Sequence, residues 1–512
     1  MMDVDVLIVG GGLVGLSAAL FLAEHLEQGG RVLVVEKHAG TSIHPRARGF
    51  NERTIEHFRA TRAGTVIERE GGIPEEVPIG GILTAVTLAD APLAWQPRVP
   101  QARTTGLSPC PPVFMGQDRL ERILLHAVTE EGVVVRFSTE MTHFEQDGDG
   151  VTANIVDRTA QRHETVRARY MVAADGVRSS VREALGIRQR GRGTLGHNVS
   201  AVFEADLTEV RRERPFGFAI VTHPEAAGIF VSAGSKDRWL YGTEMPPDGG
   251  ALSTKDFVQR IRQAAGLPTL AVNVLGAFAW ETGERVAERF SHGRVFLAGD
   301  AAHQMTPAGG FGANTGIQDA ANLAWKLALV LQGRARPALL DSFDTERRPV
   351  ATATAEQATI LAYRMAAQGG RPAHPLAAQE PVDSDCVVFG YRYGVGDSPL
   401  PRTLVLDGTP GSRAPHAGLD IDGVPTSTID LLGRTFVLFA GDTAWKNAAD
   451  ALGLPLRTHV LSGWQSAYGV KEEGAVLVRP DGVIAARFTQ MESDAERALV
   501  RAFDIFYVLR SG

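Results

Sequence analysis

Several apolar runs in this chain are continuous and stop at a glycine or an acid. Residues 5–9 (DVLIV) read as a strand, followed by Gly10-Gly11-Gly12-Leu13-Val14-Gly15 and a small-residue helix over 16–23. Residues 32–35 (VLVV) predict a second strand that ends at Glu36. Residues 169–174 run into Asp175-Gly176, and residues 295–298 run into Gly299-Asp300, a Gly/Pro-rich loop and a helix starting near Asn314. Continuous apolar runs suit strands buried on both faces, as in a parallel sheet. A helical period takes over at 117–130, where Leu120, Ile123, Leu124 and Ala127 form one stripe. Strands over 133–137 and 141–144 follow, then a hairpin over 150–158 and 164–173.

Two stretches break this pattern. Residues 76–105 and 190–280 alternate with period two, as in 199–205 and 216–222, and predict a mainly antiparallel sheet inserted into the first domain. After a helix over 342–367, residues 369–380 turn rich in Gly, Pro and His and read as a linker. Strands over 435–439, 474–478 and 483–488 lie beyond it, with the turn Pro480-Asp481-Gly482 between the last two. The expected fold class is α/β. A discontinuous Rossmann-like domain (1–75, 106–189, 281–368) carries the inserted sheet (76–105, 190–280) and is followed by a third unit (381–512).

Gly10, Gly12 and Gly15 fit G-x-G-x-x-G between two strands, with Glu36 about 20 residues on. That spacing suits a dinucleotide whose pyrophosphate meets the helix amino end and whose ribose hydroxyls meet the acid. A carboxylate there also favours a free ribose hydroxyl over a 2′-phosphate. Asp300 ends a strand ahead of Gly309, Gly310 and Gly312, where backbone N–H groups can approach a flat ring. We read Asp300 as a ligand for sugar hydroxyls in preference to a helix cap.

The 512 residues allow two or three domains. A net charge of −7 without long Lys/Arg runs argues against nucleic acid and anionic membrane surfaces. Residues 6–22 are apolar, but Asp3, Asp5 and the glycine turn make them strand–turn–helix rather than a leader or membrane span. Cys110 and Cys386 are the only cysteines and lie far apart, so neither a disulfide framework nor a metal or redox pair is expected. A cytoplasmic location follows as an expectation. Neither a Ser/His/Asp set nor a metal cluster stands out.

The ordered set of G-x-G-x-x-G with a distal Glu, Asp175-Gly176 and Gly299-Asp300 resembles the single-component (class A) flavin aromatic hydroxylases, of which para-hydroxybenzoate hydroxylase is the archetype. Pro45-Arg46-Ala47-Arg48-Gly49, Met115-Gly116-Gln117-Asp118 and Gly193-Thr194-Leu195-Gly196-His197 are similar to polyketide-tailoring members such as the aklavinone hydroxylases. Beyond residue 381, the stretches at 410–416 and 476–482 resemble the thioredoxin-like third domain of such enzymes, here without the redox cysteines.

This resemblance implies FAD, with NAD(P)H and O2 as co-substrates, and hydroxylation of a phenolic or polycyclic aromatic through a C4a-hydroperoxyflavin. The partner would be that small aromatic substrate, with no nucleic acid and no membrane, and the enzyme a monomer or homodimer. Glu36, with Lys37 beside it, would bind the adenosine ribose. Gly10, Gly12, Leu13, Val14 and Gly15 would serve the pyrophosphate turn, Met141 the adenine, and Gln117 the pyrophosphate or ribityl side. Arg46 is read equally as such a contact and as a surface arginine. Asp175 and Gly176 would touch the cofactor through the loop backbone, Asp300 would hold the ribityl chain, and Pro307, Gly310, Gly312, Ala313 and Asn314 would contact the isoalloxazine.

Arg392 is the candidate catalytic residue, facing the substrate, against its plainer reading as a surface or structural arginine. His303 is read as structural, and Trp95, Trp239 and Trp280 as core residues before stacking platforms. The open alternatives are ring-insertion (Baeyer–Villiger) or antibiotic-inactivating chemistry on the same cofactor, and a flavin-containing scaffold module.

Overall fold

The computed structural model describes residues 2–26, 30–43, 47–71, 81–96, 106–212, 214–233, 236–246, 249–368 and 374–504. Its first sheet runs in the order Ser291–His292, Val295–Leu297, Arg162–Ala173, Met2–Val9, Val32–Val35 and Val134–Arg136. The last five of these strands pair in parallel. Register explains why three distant motifs meet: Val9 pairs with both Val35 and Ala173, and Ala173 pairs with Leu297. The Ala174 N–H donates to the Val9 carbonyl at 2.8 Å, and Ala298 N–H to Ala173 at 3.0 Å. Gly10, Glu36, Asp175 and the Gly299 turn therefore leave the sheet along one edge. Ligands of open parallel sheets bind at such carboxyl ends.

The second sheet has eight strands in the order His303–Gln304, Asn273–Ala287, Gln189–Glu204, Arg238–Glu244, Gly228–Ser232, Phe216–Val221, Gly81–Ala85 and Ala94–Gln96. It is antiparallel except where Phe216–Val221 meets Gly81–Ala85. One face packs on the helix Thr254–Ala265 through Phe257, Ile261, Ala264 and Ala265. The two longest strands run past the expected limits of 190 and 280, because bulges at Arg190/Gly193 and Thr194/Gly196 bend the ladder without ending it. His303–Gln304 joins this sheet just after Asp300, so the Gly299 loop is tied into both sheets.

The third sheet runs Leu456–Val460, Phe436–Ala440, Ala475–Val478, Ile484–Phe488, the first pair parallel and the others antiparallel. With helices Thr443–Ala451 and Ala495–Phe503, this is the thioredoxin arrangement. Residues 369–373 of the expected linker lie outside the described residues. The helix Ser384–Phe389 packs through Val387 on Phe311 and Ala358, not on the third sheet.

Apolar and ionic contacts dock this third unit. Trp325 meets Phe436 edge-on at 5.6 Å. Around it, Glu346 accepts from Lys326 Nζ at 2.8 Å and from Arg479 at 2.7 and 2.9 Å. Nearby, Arg53 and Arg413 both bond the buried Glu56 carboxylate. Removing one partner from such a dry cluster leaves a naked charge, which costs far more than the pair contributes.

Burial pushes the Glu346 carboxyl up, but Arg479 and Lys326 outweigh it and hold the group well below the ordinary 4.5. Its stabilisation is thus fully present above pH 4.5 and fades as pH falls through the lowered value. Glu346→Gln should cost about 3–5 kcal/mol at neutral pH and flatten the acid limb of thermal stability. Melting curves at pH 7 and pH 3.5–4.5 that match the wild type would contradict this docking role.

Candidate functional site

The glycine turn is dictated by backbone crowding. Gly10 has φ +106°, and a Cβ there would lie 2.2 Å from the Ala174 carbonyl oxygen. At Gly15 a Cβ would lie 1.9 Å from the Gly10 oxygen. Gly12 precedes the helix Leu13–His25 and provides no side-chain cap. The first N–H groups of that helix therefore face the cleft with their partial positive charge. Among the described residues, only Glu121 comes near a Gly12 Cβ, at 3.7 Å.

Glu36 turns back onto the same turn. Its Oε2 accepts from Gly11 N–H at 2.8 Å, and its Oε1 from His38 N–H at 2.9 Å, with His38 Nδ1 at 2.5 Å. Lys37 is exposed. Met141 is buried beside a bulge in Thr139–Gln146, the strand whose Thr139 N–H donates to the Glu36 carbonyl. Gln117 sits where expected, its N–H donating to Ala47 and its Nε2 to Glu121 at 2.7 Å. Arg46 lies outside the described residues.

Asp175 receives Val181 N–H at 3.2 Å and Ser180 Oγ at 3.4 Å, so it ties down the helix Ser180–Ala184. Its other oxygen is buried without a hydrogen-bond partner among the described residues, and burial raises its pKa. Gly176 beside it has φ +83° and open space where a Cβ would be.

On the third strand end, Asp300 is exposed in a short turn, Gly299–Ala301. The exposed Pro307, Gly309 and Gly310 follow, the two glycines at φ +78° and +68°. The helix then begins at Phe311, one turn earlier than the sequence pattern predicts. The Asn314 side chain fixes this apron: Nδ2 donates to Gly49 and Gly310 carbonyls at 3.1 and 2.8 Å, and Oδ1 accepts from Asn51 N–H at 3.0 Å. Gly312 and Ala313 are half-buried beside it.

His303 is fully buried, and its Nε2 meets Asp319 Oδ2 at 2.7 Å. The same oxygen accepts Gly299 N–H at 3.2 Å, and Oδ1 accepts from Arg347 Nε at 2.8 Å. Burial pushes the Asp319 carboxyl up, but His303 and Arg347 hold it below the usual range. Arg392 is exposed and donates to the Pro410 carbonyl at 3.2 Å. Trp239 is a core residue packed on Phe216, and Trp95 flanks that core. Trp280 lies half-buried and donates to Ser200 Oγ at 2.9 Å.

Sequence reasoning passed over Glu121, Asp319 and Arg347. The signals were present: Glu121 follows Gln117 by one helical turn, and Asp319 is the one acid in the helix Phe311–Leu331.

The helix amino end after Gly12, the acid Glu36 at the end of the second strand, the exposed Asp300 and the glycine apron together fit a dinucleotide with a flat ring. Residues 3–358 match the FAD binding domain family, and residues 407–505 match the aromatic-ring hydroxylase C-terminal family. Tetracenomycin B2 monooxygenase-dioxygenase of Streptomyces olivaceus is 40% identical, covering 97% of each chain. Aklavinone 12-hydroxylase of Streptomyces purpurascens is 36% identical over 97% of each. The solved structure of aklavinone-11 hydroxylase with FAD and aklavinone matches with a TM-score of 0.89 at 34% identity, covering 99% of both chains. This chain belongs to the FAD-dependent aromatic hydroxylases, and its cofactor is FAD.

Two substitutions probe the loop. Asp300→Ala should purify with substoichiometric flavin, and full occupancy by absorbance would refute its assignment to the ribityl chain. Asp319→Asn leaves the buried Arg347 unmatched and should cost about 3–5 kcal/mol. An unchanged melting temperature would contradict this.

Proposed function

We propose that this enzyme uses NAD(P)H and O2 to hydroxylate a planar, polycyclic phenol of the polyketide type. The observation that carries the substrate class is the second face of the inserted sheet. Phe218, Ile220, Ile229 and Val231 alternate with the buried Ala219, Val221 and Phe230, and cross-strand pairs put the four on one face. All four are half-buried, and they stand outside the core that packs on the helix Thr254–Ala265. Phe278 lies further along the same face, opposite Ser200. A broad apolar wall of this kind favours a large flat ring system over a small polar phenol. The relatives named for tetracenomycin and aklavinone support the same class.

Bound FAD supplies the reduction by NAD(P)H and the activation of O2. In this reading the chain's own groups bind and orient. Gly12, Leu13 and Val14 would meet the pyrophosphate, Glu36 the ribose, and Asp300 the ribityl hydroxyls. The Pro307–Asn314 apron would underlie the flat ring, and the helix amino end would favour negative charge on it. The apolar sheet face keeps water from the reacting centre and aligns the substrate. Arg392 receives no part in catalysis.

The two cysteines are free and buried, which suits a reducing, cytoplasmic setting. No helix among the described residues is long and apolar enough to cross a membrane.

The test is a screen of polycyclic phenols by NAD(P)H consumption, followed by product mass under heavy-isotope O2. The expected result is substrate-stimulated oxidation and one O2-derived atom in a new ring hydroxyl. An ester or lactone product, or no stimulation by any polycyclic phenol, would overturn the proposal.

A further inference from the structure

Glu121 is 1% exposed and lies at the mouth of the glycine helix. Its Oε2 accepts from Ser42 N–H at 2.6 Å, and its Oε1 from Gln117 Nε2 at 2.7 Å. Leu13 N–H, at the helix amino end, also favours its charged form. Glu36 faces it from the end of the second strand and opposes that charge. Among the described residues no Lys or Arg pairs with it; the donors around it are all neutral. A buried carboxylate therefore sits 3.7 Å from where a Gly12 Cβ would be, beside the opening through which a pyrophosphate reaches the helix.

A pyrophosphate brings two negative charges to that opening. The acid and the phosphates compete for the same helix amino end, and like charges in a partly dry site cannot both persist cheaply. We propose that Glu121 is a positioning residue for the dinucleotide, whose carboxyl takes up a proton when FAD binds and then holds Ser42 and Gln117 as a neutral acid. Burial already raises its pKa without the cofactor, which is the direction that favours proton uptake. The inference rests on the pyrophosphate lying at Gly12.

The sign follows from linkage. A group whose pKa is higher in the complex favours binding at low pH, and affinity falls as pH rises until the bound carboxyl ionises. The other titratable pair nearby is Glu36 with His38, on the ribose side.

The experiment is FAD release from diluted holoenzyme between pH 5 and 9, read by the fluorescence of freed flavin. Wild-type release should rise with pH by up to about tenfold per unit, as one coupled proton allows. Glu121→Gln should remove that dependence and retain FAD at high pH, while His38→Gln should keep it. Glu121→Asp, a second variant that preserves the acid, should keep the dependence with a displaced midpoint. Release from Glu121→Gln that tracks the wild type at every pH, or a wild-type midpoint in Glu121→Asp, would overturn the proposal. Gly12→Val separates the two layers. If it holds FAD as tightly as the wild type, the pyrophosphate placement fails and the proposal with it. If it loses FAD while Glu121→Gln tracks the wild type, the proton coupling alone fails.

Discussion

The Asp319 carboxylate is the constraint on which the cofactor end of this molecule depends. One of its oxygens takes the Gly299 N–H and His303, and the other takes Arg347. Gly299 begins the turn that presents Asp300, and His303 opens the short strand that enters the second sheet. Arg347 then donates to the Tyr393 hydroxyl and the Thr315 carbonyl, both at 3.1 Å. A single buried acid thereby fixes the loop, the helix behind the apron and the entry to the third unit. Its charge is tolerable in a dry site because both of its oxygens are bonded, one to Gly299 and His303 and the other to Arg347.

That linkage gives a physical role to a thioredoxin fold without cysteines. Its turn around Pro480–Gly482 supplies Asp481, which pairs with Arg479 and bonds Asn322 on the apron helix. The apolar contact between Trp325 and Phe436 braces the same helix from behind. The third unit acts by holding Phe311–Leu331 in place. The apron can be rich in glycine, and so intrinsically loose, because its supporting helix is clamped on the opposite side.

Much of the cofactor cleft is legible in the sequence because its chemistry is local. Gly10, Gly12, Gly15 and Glu36 follow one another at a spacing that a single βαβ unit requires, and continuous apolar runs mark the three strands. The adjacency of Gly10, Asp175 and Gly299 is different. It depends on strand register across more than a hundred residues, and only the family likeness of the ordered motifs made it foreseeable. Asp319, Arg347 and Glu121 were harder still, since a buried polar residue declares itself only when its partners are known. The start of the apron helix was misplaced for a local reason: two left-handed glycines can end at a helix as readily as they continue a loop. Arg392 was expected to face the substrate, yet alternation buries Tyr391 and Tyr393 and turns Arg392 outward.

In the proposed arrangement, one edge of the parallel sheet and the Gly309–Asn314 apron would together cradle FAD beneath the apolar face of the inserted sheet. The most direct measurement is a crystal structure of the purified yellow enzyme with a polycyclic phenol. The expected result is density for the pyrophosphate at Gly12, for the ribityl chain at Asp300, and for the substrate between the isoalloxazine and Phe218, Ile220, Ile229 and Val231. Flavin density away from the apron, or substrate density that avoids that sheet face, would contradict it.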